Sequence, residues 1–156
     1  MGIVTKDVIE RFYSHKRIAL IGASRDKRKY ANGLLRALRE RGYEVVPVNP
    51  TATDIDGLPC FANIQAAAPP VDAAIAVVAA PKLDSVVRDC AAAGVRMLWM
   101  HEHVMKGVMN PKAIYLCESS GIECIAGFCP MMFLPKTGFQ HKIHGSIMKL
   151  FGAYPA

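Results

Sequence analysis

The sequence predicts an α/β fold built on a doubly wound parallel sheet, and two observations predict it. Three segments share one grammar: a helix-like stretch, a glycine, then a short β-rich run. They read ALRERGYEVVPV around Gly42, CAAAGVRMLWM around Gly94 and CESSGIECIAG around Gly121. A glycine just past a helix adopts the left-handed conformation that stops the helix and turns the chain into a strand. The β-rich runs are mostly continuous apolar stretches, as strands covered on both faces require. Such strands alternating with helices specify a parallel, doubly wound sheet.

Taken in chain order, each element has its own signal. The segment from Thr5 spaces Val8, Ile9, Phe12 and Tyr13 as a helix does, and forms an extra N-terminal helix outside the repeat. A strand follows at 18–21. The next helix carries Ala31, Leu34, Leu35 and Leu38 on one face. The second strand, 43–48, contains Pro47, which lacks a ladder donor and implies an outer position in the sheet. A third strand at 73–78 leads to a helix with Leu83, Val86, Val87, Cys90 and Ala91 on one face. After the strand at 95–100, Asn110 and Pro111 are a cap and first-turn pair for the helix ending near Gly121. The last strand is 122–126. Beyond it, Ile143, Ile147, Leu150 and Phe151 sit at helical spacing among Lys142, His144 and Lys149, a basic amphipathic tail helix. No linker or low-complexity stretch divides the chain. Residues 1–156 therefore read as a single Rossmann-like domain, with a core at about 16–132 and a tail at 133–156.

Composition narrows the class further. Hydrophobic residues make up 52% and charged residues 21%, which excludes a disordered chain. No apolar run approaches the ~20 residues of a spanning helix. The net charge of +6 favours anionic partners, without separating nucleic acid from phosphorylated metabolites. Five cysteines (Cys60, Cys90, Cys117, Cys124 and Cys129) form no CxxC pair, and Lys6, Asp7, Glu10 and Arg11 stand where a signal peptide needs apolar residues. The expectation is a soluble protein of the reducing cytoplasm.

In an open parallel sheet, ligands sit outside the carboxyl ends of the strands, where strand order reverses. The first such end reads Gly22-Ala23-Ser24-Arg25-Asp26-Lys27-Arg28-Lys29-Tyr30. Gly22 allows a tight turn, and small Ala23 and Ser24 let a ligand approach the backbone. Four of the five residues from 25 to 29 are basic. Cations at a helix N-terminus oppose its dipole unless an anion answers them. A polyphosphate site explains the cluster; a solvated basic loop is the plainer alternative. A dinucleotide fingerprint is missing, because Gly33 falls too far along to complete G-x-G-x-x-G. The second strand ends Val48-Asn49-Pro50-Thr51, with no acidic residue for ribose hydroxyls, so nicotinamide nucleotides are disfavoured. The other strand ends are Ala79-Ala80-Pro81-Lys82, Met100-His101-Glu102-His103 and Gly127-Phe128-Cys129-Pro130. The small apolar end at 79–81 suits a flat ring or slender chain, or else simply tight packing.

These residues carry a resemblance. The stretches Ile18-Ala19-Leu20-Ile21-Gly22-Ala23-Ser24, Lys29-Tyr30, Gly42-Tyr43-Glu44-Val45-Val46-Pro47-Val48-Asn49-Pro50, Ile55-Asp56-Gly57 and Val71-Asp72, with those leading to Trp99 and Cys129, resemble the small CoA-binding Rossmann proteins. These are stand-alone relatives of the CoA-binding domain of succinyl-CoA synthetase and ADP-forming acyl-CoA synthetases. The resemblance runs from about Lys16 to Met132 and implies coenzyme A or an acyl-CoA as ligand. Gly22, Ala23, Ser24, Arg25, Lys27, Lys29 and Tyr30 would hold the phosphates. Asn49 and Pro50 would border the adenine, Ala79, Ala80 and Pro81 would line the pantetheine path, and Met100 would complete the set. Many relatives have Phe-Arg-Arg-Pro-Glu where this chain has Val78-Ala79-Ala80-Pro81-Lys82. They also have Trp-x-Gln and Asp-Arg-Cys against Trp99-Met100-His101 and Gly127-Phe128-Cys129 here. The related ligases use a phosphorylated histidine on a further domain, so this chain is expected to act as a carrier, sensor or subunit.

Other functions compete with that one. Cys129 is a candidate nucleophile or mixed-disulfide partner, and His101 a candidate general base at the pocket rim. Either would serve an enzyme acting on a CoA thioester or nicotinamide nucleotide; a buried structural cysteine and a hydrogen-bonded loop histidine are the plainer readings. The spacing of His101, His103, Cys124 and Cys129 matches no metal signature. A nucleic-acid binder is disfavoured, since Tyr30 alone supplies an aromatic in the basic loop. The tail offers a surface for a protein partner, a second subunit or an anionic membrane, with packing on its own domain as the default.

Overall fold

The computed structural model describes residues 4–101 and 110–134. Helix α1 (Lys6–Ser14) opens it, capped by Thr5, whose Oγ1 accepts from Val8 N at 3.4 Å. Strand β1 (Arg17–Ile21), helix α2 (Tyr30–Arg39) and strand β2 (Glu44–Val48) follow. A two-stranded antiparallel hairpin, β3 (Asp54–Ile55) with β4 (Leu58–Pro59), separates them from β5 (Ala73–Ala76). Helix α3 (Leu83–Ala92), β6 (Met97–Met100), α4 (Pro111–Ser119) and β7 (Glu123–Ala126) complete the alternation.

The main sheet has the order β2-β1-β5-β6-β7, and every neighbouring pair is parallel. This is the α/β doubly wound, Rossmann-like arrangement expected from the sequence. Strand order reverses between β1 and β5, so a crevice opens there at the carboxyl ends. β2 is an edge strand, as Pro47 requires. Its outer side is covered locally by residue 61, since Phe61 N donates to Pro47 O and Asn49 N donates to Phe61 O.

Period-two alternation sends side chains to two cores. Ile18, Leu20, Ile75, Met97, Trp99 and Ile125 meet Ile9 and Phe12 of α1 and Leu34, Leu35 and Leu38 of α2. On the other face Ala19, Ala74, Ala76, Leu98 and Met100 meet Val86, Val87 and Cys90 of α3 and Ala113 and Cys117 of α4. The apolar stripes read from the sequence in the described helices are thus the buried faces, though Val8, Tyr13 and Ala91 remain only half-buried.

Three strands begin later than the apolar runs suggest. Tyr43 N donates to Leu38 O, Val95 N to Cys90 O and Ile122 N to Cys117 O. Each bond reaches back five residues, the signature of a glycine-terminated helix end, and Gly42, Gly94 and Gly121 have φ of +82°, +77° and +72°. Tyr43, Val95 and Ile122 therefore cap helices before their strands start. The third strand also ends early, at Ala76 rather than 78. Val77 N still donates to Ile21 O at 2.8 Å, but beyond it β1 has turned away at Gly22 and offers no partner. Asn110 caps α4 as expected, its Oδ1 accepting from Ala113 N at 3.1 Å. Among the described residues no helix is long and apolar enough to cross a membrane. His103 and nearly all of the tail lie outside the described residues.

Candidate functional site

The site starts from one glycine. Gly22 has φ +88°, and a Cβ built on it would lie 2.1 Å from Val77 O, inside any permissible contact. Only glycine lets the chain leave β1 while pressed against the end of β5. Gly22 N donates to Val48 O at 3.1 Å, so this one residue joins the ends of β1, β2 and β5.

From there the 22–29 loop is braced by side chains. Asn49 Nδ2 donates to Ala23 O at 2.8 Å and Asn32 Nδ2 to Ser24 O at 3.0 Å. Ser24 Oγ accepts from Asp26 N at 3.1 Å. Asp26 in turn accepts from Arg28 N, Nε and Nη2, a tight local turn. The hydrogen bond from the Arg28 guanidinium, more than any other cause, holds the Asp26 carboxyl below its ordinary pKa. Arg28 is therefore neutralised within the loop. Arg25, Lys27 and Lys29 are exposed. Lys29 is the N-cap residue of α2 and makes no side-chain cap; the first turn carries no acidic residue. The helix end thus keeps its positive dipole and adds cations to it, an electrostatic arrangement suited to an anion.

Beside this loop lies a crevice of about 500 Å³. Gly22, Asn49, Pro50 and Ala79 line it, with Val78 on the β5 side. Ala23 is buried beneath the loop and Ser24 half-buried. Ala80 and Pro81 are exposed on a short 3₁₀ turn, Ala80–Lys82, outside the lining. Met100 is fully enclosed in the core below the strand end and does not line the crevice. Thr51, Asn63, Lys82, Ser85 and Asp89 also line it and escaped the sequence reading. Thr51 and Lys82 each close a strand end visible in the sequence, but Asn63, Ser85 and Asp89 come from segments with no local signal of a site.

Tyr30, His101 and Cys129 meet beside the residues that line the crevice rather than among them. The Tyr30 ring stacks on the His101 imidazole with centroids 4.1 Å apart and planes 15° from parallel. Its hydroxyl lies 3.3 Å from Cys129 Sγ. Burial first, then the adjacent Cys129, raises the Tyr30 phenol far above its ordinary pKa, so it stays protonated. The segment carrying Cys129 is pinned at both ends, by Trp99 Nε1 to Phe128 O at 2.9 Å and Tyr13 Oη to Pro130 O at 2.6 Å. Cys129 itself is buried. Among the described residues there is no cluster of three or more metal-ligating side chains.

Comparison with known proteins identifies the family. A conserved hypothetical protein from Pyrococcus furiosus superposes with a TM-score of 0.66 at 32% identity, covering 73% of this chain and 95% of that one. The acetyl-coenzyme A synthetase 1 of Ca. Korarchaeum cryptofilum superposes with the same score at 30% identity, over 74% of this chain and 26% of the synthetase. In sequence, the Bacillus subtilis protein YneT is 23% identical over 124 residues, 80% of this chain and 87% of YneT. The ADP-forming acetate–CoA ligase I of Archaeoglobus fulgidus is 35% identical over 82 residues; that is 53% of this chain but only 12% of the ligase. The chain thus corresponds to a small part of the ligases it resembles. With residues 16–135 matching the CoA binding domain family, the chain belongs to that family and is homologous to the CoA-binding domain of ADP-forming acetyl-CoA synthetases.

Proposed function

We propose that this chain binds coenzyme A or an acyl-CoA, with the phosphates on the 22–29 loop and the adenine in the crevice beside Asn49 and Pro50. The observation that carries the reading is the basic, uncapped N-terminus of α2 directly after the obligatory Gly22 turn. Lys27 and Lys29 supply exposed cations, and the small side chains at 79–81 leave room for a slender pantetheine arm. We read residues 1–156 as one domain serving as a carrier, sensor or subunit, working where its thiols stay reduced. The test is calorimetry of the purified, ligand-free protein against CoA, acetyl-CoA, NAD and ATP in parallel. Micromolar binding of CoA with NAD silent is expected. Absence of CoA binding would remove the reading and leave family membership as common ancestry.

A second reading has its own observation, the contact of Tyr30 with both His101 and Cys129. In it, Cys129 Sγ attacks the thioester carbonyl of a bound acyl-CoA, and the bond from the acyl carbon to the CoA sulfur breaks. CoA leaves as the free thiol with the Cys129 proton, while the acyl group stays on Cys129. It requires turnover that disappears in Cys129→Ala while CoA affinity survives.

A further inference from the structure

Asn32 is the buried polar residue of the core: among the described residues it is the polar or charged side chain that is fully enclosed. It stands in the first turn of α2 between the buried Ala31 and Leu34. Its Nδ2 reaches Ser24 O at 3.0 Å, but its Oδ1 is buried with no hydrogen-bond partner in the described protein. A half-satisfied buried amide destabilises a fold, so the explanation for the residue lies in what its other end holds.

That explanation is visible in the peptide planes it holds. Asn49 donates to the carbonyl of Ala23 from the β2 side and Asn32 to the carbonyl of Ser24 from the α2 side. The Asn49 oxygen is itself fixed, accepting from Thr51 N at 2.8 Å and Thr51 Oγ1 at 3.0 Å. Arg36 also donates to Lys27 O at 3.3 Å. In a trans peptide the carbonyl and the following N–H point in opposite directions. With the carbonyls of Ala23 and Ser24 turned toward the two amides, the N–H groups of Ser24 and Arg25 are turned away from them. Each N–H is thereby oriented by a side chain before any ligand arrives, and backbone N–H groups at a helix N-terminal loop are ready donors to an anion.

We propose that Asn32, together with Asn49, is a positioning residue for diphosphate binding: it touches no ligand, and presets the 23–24 and 24–25 peptides so that Ser24 and Arg25 N–H donate to phosphate oxygens. The inference rests on the CoA reading for its ligand. The test compares wild type with Asn32→Leu, using CoA and inorganic pyrophosphate as probes and backbone amide NMR as readout. In wild type both probes are expected to shift the Ser24 and Arg25 amides. In N32L, CoA affinity should fall roughly tenfold. Its thermal transition should not drop, and at saturating CoA the shifts at Thr51 and Asn63 should persist while those at Ser24 and Arg25 shrink. A variant that melts lower yet binds CoA as wild type does, or one that loses all shifts together, makes Asn32 merely structural and overturns the proposal. Should N32L not fold, Asn32→Ala is judged by the same readouts. If wild type binds no CoA, the CoA reading falls alone provided pyrophosphate still shifts Ser24 and Arg25 in wild type and not in the variant; if it does not, both fall.

Discussion

The two segments that meet at the reversal of strand order are built on opposite principles. The 22–29 loop is polar, and its shape is held by amides from α2 and β2, by the Ser24 hydroxyl and by the Asp26–Arg28 pair. The segment after β5, through Ala79, Ala80 and Pro81, is small-sided and exposed. Asn110 reaches its Ala80 carbonyl at 3.4 Å and Ser85 the Lys82 carbonyl at 2.8 Å. Under the proposed function, the difference matches what each would recognise. A phosphate needs dipoles and charges fixed in advance, because reorganising them on binding would consume the attraction. An uncharged chain needs only room and apolar surface.

The contrast can be broken at the residue where the segments touch. Gly22→Ala is expected to destabilise the fold by about 4 kcal/mol, combining a strained positive φ with overpacking on Val77 O. Gly42→Ala, at a similar φ but with nothing within 4 Å of its added Cβ, should cost only about 1 kcal/mol. Urea unfolding of the two variants measures the gap; equal losses would mean that the Gly22 contact does not matter.

Next in size is the charge of the first segment. Lys27→Glu with Lys29→Glu should weaken CoA binding roughly 100-fold and flatten its salt dependence. The melting temperature should hardly move, since both side chains are exposed. Unchanged affinity in the titration would remove the phosphate assignment. On the second segment Ala79→Phe should cost roughly tenfold by filling the crevice, with the salt dependence intact. A changed salt slope in that variant would show that the two segments do not divide the ligand as proposed.

The smallest effect concerns pH. Asp26 has its carboxyl pKa lowered chiefly by the Arg28 hydrogen bond, so its pairing is complete above the ordinary carboxylate range. It is lost as pH falls through the lowered value, loosening the first segment and leaving the second untouched. A carboxyl NMR titration should find Asp26 low in wild type and restored toward its ordinary value in Arg28→Ala.

Much of this was legible in the sequence because it depends on neighbours along the chain. The apolar stripe of α2, the Asn110 cap and the edge position of a strand containing Pro47 follow from spacing and backbone chemistry. The overlong strands show where local reading stops. Tyr43, Val95 and Ile122 look like strand residues, and their N–H groups decide otherwise by returning to helix carbonyls. The basic loop was equally legible as a run of cations after Gly22. The rest of the crevice was not, for Asn63, Ser85 and Asp89 reach it from segments far apart in the chain.

What the sequence determines by itself is therefore the alternation of strands and helices, the glycine stops between them and the anion-seeking charge at one helix end. Tertiary structure alone decided that Gly22 abuts Val77, that Tyr30 lies between His101 and Cys129, and that Asn49 and Asn32 grip successive carbonyls. Periodicity and propensity are properties of adjacent residues, whereas hydrogen bonds such as Asn49 to Ala23 join residues that only the packed sheet brings within reach.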